Sequence, residues 1–348
     1  MKAFYSIALG MILLFAGHRE SGAQQLRTTE PAFIYSGEEG VQAPDYGKAV
    51  PRLLAQWERA YGPIEPGETG RVVLKVYTNS GMGLRTPPAL VSALADALVE
   101  RGFDRGDIMI ADLDKRRLRK AGFLPPLSVG GDHFDGMPVI ALESENRYLK
   151  NWFYESPLPP HPLLNSADAD QPRELLEGDE DRKSFLPAPL LFDLDFWINL
   201  PVAVEHPVLG MSGAVANAGV WAVSNQSRFF SRPVSAASST VEIAAIPELQ
   251  RSWLFSILSL ETYQFIGGPQ FNSLYTRSRP EVILSADPLL IDSYALAAIN
   301  ASRIEAGFAP ISPKPLFFRY GESLEMGSGE LDPVRLQPVR GNNPPSSE

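Results

Sequence analysis

The stretch Arg71–Leu113, RVVLKVYTNSGMGLRTPPALVSALADALVERGFDRGDIMIADL, decides the fold. RVVLKVYTN reads as a strand, NSGMGLR as a glycine-bearing turn and TPPALVSALADALVERG as a helix, with a second strand at Asp107–Leu113. In the helix Leu90, Leu94, Ala97 and Leu98 share one face, Thr86 suits the N-cap, Pro87 the first turn and Gly102 the C′ position. Strand, helix and strand in this order make a βαβ unit, and hence a parallel pair of strands. Gly81-Met82-Gly83 at the turn invites a dinucleotide reading with Asp112 or Asp114 on the ribose, but the third glycine of that fingerprint is missing and two prolines stand at the helix start. Arg85 with the free amides of the helix start could hold a carboxylate or phosphate, and a tight turn with an ordinary cap explains the same residues.

Further along, Phe192–Gln226 reads FDLDFWINLPVAVEHPVLGMSGAVANAGVWAVSNQ. A period of two puts Leu194, Phe196, Ile198 and Leu200 on one face and Asp193, Asp195, Trp197 and Asn199 on the other. Asp193 and Asp195 would stand about 7 Å apart, a spacing that flanks one cation or suits a solvated strand start. Pro201 ends the strand, and Pro207 confines Glu205 and His206 to an extended turn just beyond it, where open α/β sheets bind ligands. The small residues of Gly210–Val223 read as a helix that lies close to the sheet.

INLPVAVEH followed by SGAVANAG resembles the central motif of the domain-of-unknown-function 362 family, Ile-Asn-x-Pro-Lys-x-Lys-x-His and then Lys-Asn. Asn199, Pro201, His206 and Asn217 match it, while Val202, Val204 and Ala216 stand at its lysine positions. LSADPLLIDSYA, with Asp287 and Asp292, is similar to a second family element, Asp-Pro-x-x-x-Asp, and the resemblance spans residues 71–307. It implies a ligand pocket lined by His206, Asn199 and Asn217, with Asp193 or Asp195 and Asp292 as carboxylate contributors. The missing lysines predict a pocket that prefers a cation or an uncharged polar ligand over a phosphate. Asp287 also reads as a helix N-cap, and five residues of helix set it about 140° from Asp292.

The remaining chain frames this core. Lys2, the apolar run Ala3–Ala16 and the small residues Ser21-Gly22-Ala23 predict a signal peptide at 1–23, and so a periplasmic or secreted protein. No later stretch is long enough to span a bilayer. Residues 24–70 read as an N-terminal arm with an amphipathic helix through Val50, Leu53, Leu54, Trp57 and Tyr61. The expected body is a single α/β domain, 71–320, with a mainly parallel sheet and helices on both faces. It is interrupted by a proline-rich acidic insertion at 155–184 and followed by a disordered tail at 321–348. Pro247–Leu260 reads as helical.

The formal charge of −10 disfavours nucleic acid as a partner, and the absence of cysteine excludes disulfides and thiolate metal sites. A divalent metal has two candidate sets: Asp193, Asp195 and His206, and the loop residues Asp132, His133 and Asp135, which also suit a polar turn. Arg228, on a polar turn after the small-residue stretch, faces either the site or solvent. Three functions fit: an exported enzyme or metal-dependent ligand binder, a binding protein descended from such an enzyme, and a structural partner in an envelope assembly.

Overall fold

The computed structural model describes residues 30–38, 40–127, 132–143, 147–156 and 182–339. The expected leader at 1–23 and most of the acidic insertion lie outside the described residues. The first half of the chain gives β1 (Ala32–Ser36), α1 (Tyr46–Tyr61), β2 (Val72–Lys75), α2 (Pro88–Val99), β3 (Ile108–Asp112), α3 (Lys115–Lys120), β4 (His133–Phe134), β5 (Met137–Ala141) and β6 (Tyr148–Glu155). The second half adds β7 (Lys183–Pro187), α4 (Ala188–Leu191), β8 (Phe196–Asn199), β9 (Val204–His206), β10 (Gly210–Ser212), α5 (Ala214–Ala218), α6 (Pro233–Ala244) and α7 (Pro247–Ser252). It closes with β11 (Trp253–Ser259), β12 (Tyr263–Gln264), β13 (Thr276–Arg277), β14 (Glu281–Ser285), α8 (Pro288–Glu305), α9 (Leu316–Ser323) and β15 (Leu336–Pro338).

The fold is α/β. Its central sheet has nine strands in the order β15-β1-β14-β11-β8-β2-β3-β5-β4. The inner five, β11, β8, β2, β3 and β5, run parallel, while β14 and β4 run against their neighbours. Strands covered on both faces need apolar residues at every position, and VVLK, IMIAD and FWIN supply them almost throughout. Val72, Leu74, Ile198, Phe255 and Ile257 pack on one face with Leu53, Leu54 and Trp57 of α1 and with Leu90, Leu94 and Leu98 of α2. Val73, Trp197, Leu258 and Ile283 pack on the other with Val215 of α5, Val241 of α6 and Ile291, Ala295 and Ile299 of α8.

From β2 the chain moves through α2 to β3 and then β5 on one side, and later builds β8 and β11 on the other. The boundary between β2 and β8 is therefore the topological switch point, where sheets of this class open a crevice beyond the carboxyl ends of their strands.

Several expectations need correction. The strand expected from Phe192 begins at Phe196, because α4 ends at Leu191 and Asp193 turns the chain at φ 57°. Both faces of β8 are core. Thr86 does not cap α2, whose N-cap is Pro87; its hydroxyl instead receives the Tyr77 amide at 2.8 Å and donates to the Leu200 carbonyl at 2.6 Å. The small-residue stretch is helical over Ala214–Ala218 alone. In Pro247–Leu260 the helix stops at Ser252 and Trp253–Ser259 forms a central strand, since an apolar run buried on both faces carries no period of its own.

The arm is part of the sheet rather than an attachment, with β1 paired to β14. The tail is ordered through Val339. β15 pairs with β1, Met326 is buried, and Arg335 binds Asp287 at 2.5 Å and the Glu30 carbonyl at 2.6 Å. Residues 340–348 lie outside the described residues. Among the described residues no helix is long and apolar enough to cross a membrane.

Candidate functional site

Four strands contribute one polar residue each to a single row across the sheet. The register places Lys75 beside Asn199, Asn199 beside Ser256 and Ser256 beside Ser285. Lys75 and Asn199 are the last residues of β2 and β8, so the row ends at the switch point, where sheets of this class bind their ligands. The same face carries the apolar residues Val73, Trp197, Leu258 and Ile283 two positions earlier or later along each strand.

Lys75 is fully buried. Its Nζ donates to Asp112 Oδ1 at 2.8 Å, to the Val76 carbonyl at 2.9 Å and to Asn217 Oδ1 at 3.1 Å. Burial pushes its pKa below the ordinary lysine range, and the charge and hydrogen bond of Asp112 oppose that shift. Acceptors on all three sides match an ammonium group with three protons and leave no lone pair. Asp112 Oδ2 accepts from Thr78 Oγ1 at 2.5 Å. Asn217 Nδ2 donates to Asn199 Oδ1 at 2.8 Å, and Asn199 Nδ2 donates to Ser256 Oγ at 3.0 Å and to the Ala214 carbonyl at 2.9 Å. Each polar member satisfies the next, which is the condition for such a network in a core.

Around this floor stands a rim of partly exposed groups: Asn79 after β2, Arg117 on α3, Glu143 after β5 and Tyr148 at the start of β6. Arg117 donates from Nη1 to Asn79 Oδ1 at 2.6 Å and pairs through Nε with Asp114 at 3.0 Å. Asn79 Nδ2 is buried without a hydrogen-bond partner. Glu143 is raised above the usual carboxylate range by partial desolvation and then by Asp114 and Asp112, against Arg117 and a hydrogen bond to Gln226. Tyr148 donates to the Ala222 carbonyl at 3.4 Å, and burial raises its phenol well above the ordinary value.

Of the residues singled out in the sequence, Asn199 and Asn217 come together in the network. Asp292 touches it at one remove: its carboxylate accepts the amides of Ala214 and Val215, the first turn of the helix that carries Asn217. His206 does not join them. It is buried beside the Trp221 and Phe230 rings, and its Nδ1 accepts the amides of Val208 at 3.2 Å and Leu209 at 3.1 Å. Burial lowers its pKa to about 4, so the imidazole is neutral with its proton on Nε2.

Asp193 is exposed, and Asp195 stands at the opposite end of β8 from the network, where it accepts the Gly67 amide at 2.7 Å and the Thr69 amide and hydroxyl at 3.0 Å. Asp193, Asp195 and His206 therefore do not form a metal site. Among the described residues no three His, Asp or Glu side chains are arranged to hold a metal ion. In the other loop Asp132 pairs with Lys115 at 2.7 Å and Asp135 with Arg105 at 3.2 Å. Arg228 is buried. It binds Ser184 Oγ at 3.1 Å and the Ser156 carbonyl at 3.1 Å, and so clamps the β6–β7 hairpin.

The residue that the sequence reading passed over is Lys75. Val202, Val204 and Ala216 leave the 199–217 motif without a cation, yet β2 brings one to Asn217. The signal was present: a lone lysine in VVLKV, a strand with apolar residues on both faces, must find a buried partner.

No known protein family matches the chain, and no curated protein does. Among solved structures, a structural genomics protein from Thermotoga maritima aligns at a TM-score of 0.38 with 12% identity over 75% of this chain, which spans 59% of that protein's length.

Proposed function

We propose that this chain binds a small polar molecule in the crevice beyond the ends of β2, β3 and β8, with the Lys75–Asp112–Asn217–Asn199 network as its fixed floor. The observation that carries the reading is the pairing of Lys75 with Asn199 across the switch point, which spends a buried charge where this class of sheet binds its ligands. A buried pair is costly to desolvate, and apolar side chains would fill the same space at no such cost. The resemblance of the 199–217 and 287–292 segments to the domain-of-unknown-function 362 family belongs to the same proposal. Its matched residues Asn199 and Asn217 are bonded to each other, and Asp292 accepts two amides of the helix that carries Asn217.

Binding is favoured over catalysis by the closure of the network. Lys75 Nζ has no lone pair for a base or a Schiff base, and both oxygens of Asp112 are taken. Contact with a ligand falls to the rim: Asn79, Arg117, Glu143 and Tyr148. Lys75 balances Asp112 and Arg117 balances Asp114, leaving Glu143 as the net charge. The preferred ligand is thus neutral and polar or carries an amine, with phosphate disfavoured.

The test is ligand-observed NMR of the full chain with a library of small neutral, amine and carboxylate compounds, repeated with Glu143→Gln and Tyr148→Ala. Neutral or amine compounds should bind the wild type and weaken at least tenfold in these variants. Hits displaced by inorganic phosphate, or unmoved by both substitutions, would place the ligand elsewhere.

A further inference from the structure

One hydrogen-bond donor at the rim lacks an acceptor. Asn79 stands on the loop that follows β2, and its Nδ2 is buried without a hydrogen-bond partner. The orientation of this amide is fixed. Its Oδ1 accepts from Arg117 Nη1 at 2.6 Å, so a half-turn of the group would set its NH2 against a guanidinium that has only donors. Arg117 is anchored in turn: its Nε pairs with Asp114 at 3.0 Å, and its backbone amide donates to the same carboxylate at 2.8 Å. Asn79 Nδ2 is therefore a preset donor.

The groups beside it on the loop are already matched. Tyr77 and Ser80 bond each other through their hydroxyls at 2.8 Å, and Thr78 Oγ1 is spent on Asp112 at 2.5 Å. The Ser80 carbonyl takes the Phe271 amide at 3.0 Å. A buried donor left unsatisfied costs folding free energy, and an acceptor brought by a ligand returns it. Asn79 as a whole is partly exposed, so the donor lies just beneath the surface of the rim, four residues beyond Lys75 at the switch point.

We propose that Asn79 Nδ2 is the specificity contact of the crevice, and that the ligand is an uncharged carbonyl compound whose oxygen accepts from it. This rests on the crevice being the ligand site and narrows the class of ligand that fits there. A protonated amine has donors only and gives Asn79 no acceptor. A carboxylate has acceptors but meets the uncompensated charge of Glu143. Among uncharged groups an amide oxygen is a stronger acceptor than a hydroxyl, so carboxamides stand first.

Ligand-observed NMR of the full chain tests this with sets of carboxamide, alcohol, amine and carboxylate that share one carbon skeleton. Within each set the carboxamide should bind most tightly, and Asn79→Leu should weaken it by at least about tenfold. The same substitution should leave the thermal midpoint unchanged or raised, because it removes an unsatisfied donor and returns the partly exposed Arg117 to water. A merely structural asparagine would not give this split, and a midpoint lowered by more than about 4 °C would overturn the proposal. If Asn79→Leu does not fold, the wild type decides: the side-chain amide protons of Asn79 should move downfield on saturation with the carboxamide, and an unmoved signal overturns it. Compounds that weaken with Glu143→Gln and Tyr148→Ala but bind equally well as amines, or bind Asn79→Leu unchanged, would leave the crevice reading standing and defeat the carbonyl contact. The absence of any compound sensitive to Glu143 and Tyr148 would defeat both.

Discussion

Replacing Lys75 with methionine removes the one positive charge in the floor while keeping most of its length and apolar bulk. Asp112 Oδ1 and Asn217 Oδ1 then lose their donor together, and Thr78 becomes the remaining side-chain partner of a fully buried carboxylate. Breaking a buried pair from one side costs about 3–5 kcal/mol, because it strands the other charge. Domains are stable by only about 5–15 kcal/mol, so the loss is a large fraction of the total. The companion variant Lys75→Met/Asp112→Leu deletes both charges. It still leaves Asn217 Oδ1 and Thr78 Oγ1 short of a partner, worth about 1–3 kcal/mol each, but the stranded charge is gone. Urea unfolding followed by circular dichroism should therefore rank the double variant as more stable than Lys75→Met alone, with the two substitutions strongly non-additive. A Lys75→Met protein within about 1 kcal/mol of wild type, or a double variant that costs the sum of the singles, would show that the two charges are not a coupled, desolvated pair.

His206 makes a pH prediction with its own sign. Its folded pKa of about 4 lies below the ordinary value of 6.5, so its neutral form contributes stability that is intact above about pH 6.5 and is lost as pH falls toward 4. The slope is about 1.4 kcal/mol per pH unit. Carboxylates titrate over part of the same range, so the test is the difference between wild type and His206→Asn, which keeps an acceptor for the Val208 and Leu209 amides. Thermal midpoints between pH 4 and 6.5 should lose that share of their acid sensitivity, and parallel curves would remove His206 from the account. Arg335→Met should cost about 3 kcal/mol, because it strands Asp287 inside the cap of α8. Guanidinium unfolding measures this, and a loss below about 1 kcal/mol would mean that the C-terminal segment is merely draped on the body.

Much of the architecture could be read from the chain because its signals were local. The Arg71–Leu113 unit declares itself through two apolar runs and a helix stopped by Gly102, which takes φ 96°. Asn199 and Asn217 were picked out by the resemblance of their segments to a family motif, and they are bonded to each other. Asp287 behaves as the cap that its Pro288 neighbour suggested, receiving the Leu290 amide at 2.9 Å. What escaped depended on partners far away in sequence. Lys75 makes sense only beside Asp112 and Asn217, which neither spacing nor period can supply. Trp253–Ser259 looked helical because a strand covered on both faces shows no alternation. The tail looked disordered by composition, yet a few residues, Met326, Arg335 and Leu336–Pro338, fasten it. Asp193 and Asp195 misled because the strand was started too early, which put both acids on the same strand face as Asn199, whereas they precede β8 at the end opposite Asn199.

The edge formed by β14, β1 and β15 bears on how the chain comes to be folded. β1 is synthesised long before its hydrogen-bonding partners: Pro31 binds Ser285 across 254 residues, and Glu30 binds Arg335 across 305. Until those partners are made, AFIYS is an apolar strand with two open edges, the kind of segment that pairs with the wrong chain. Closing such long loops also makes the last step of sheet assembly slow. The β2–β8 crevice can thus take shape from strands in the middle of the chain before β1 is placed, and locking β1 between β14 and β15 completes the molecule.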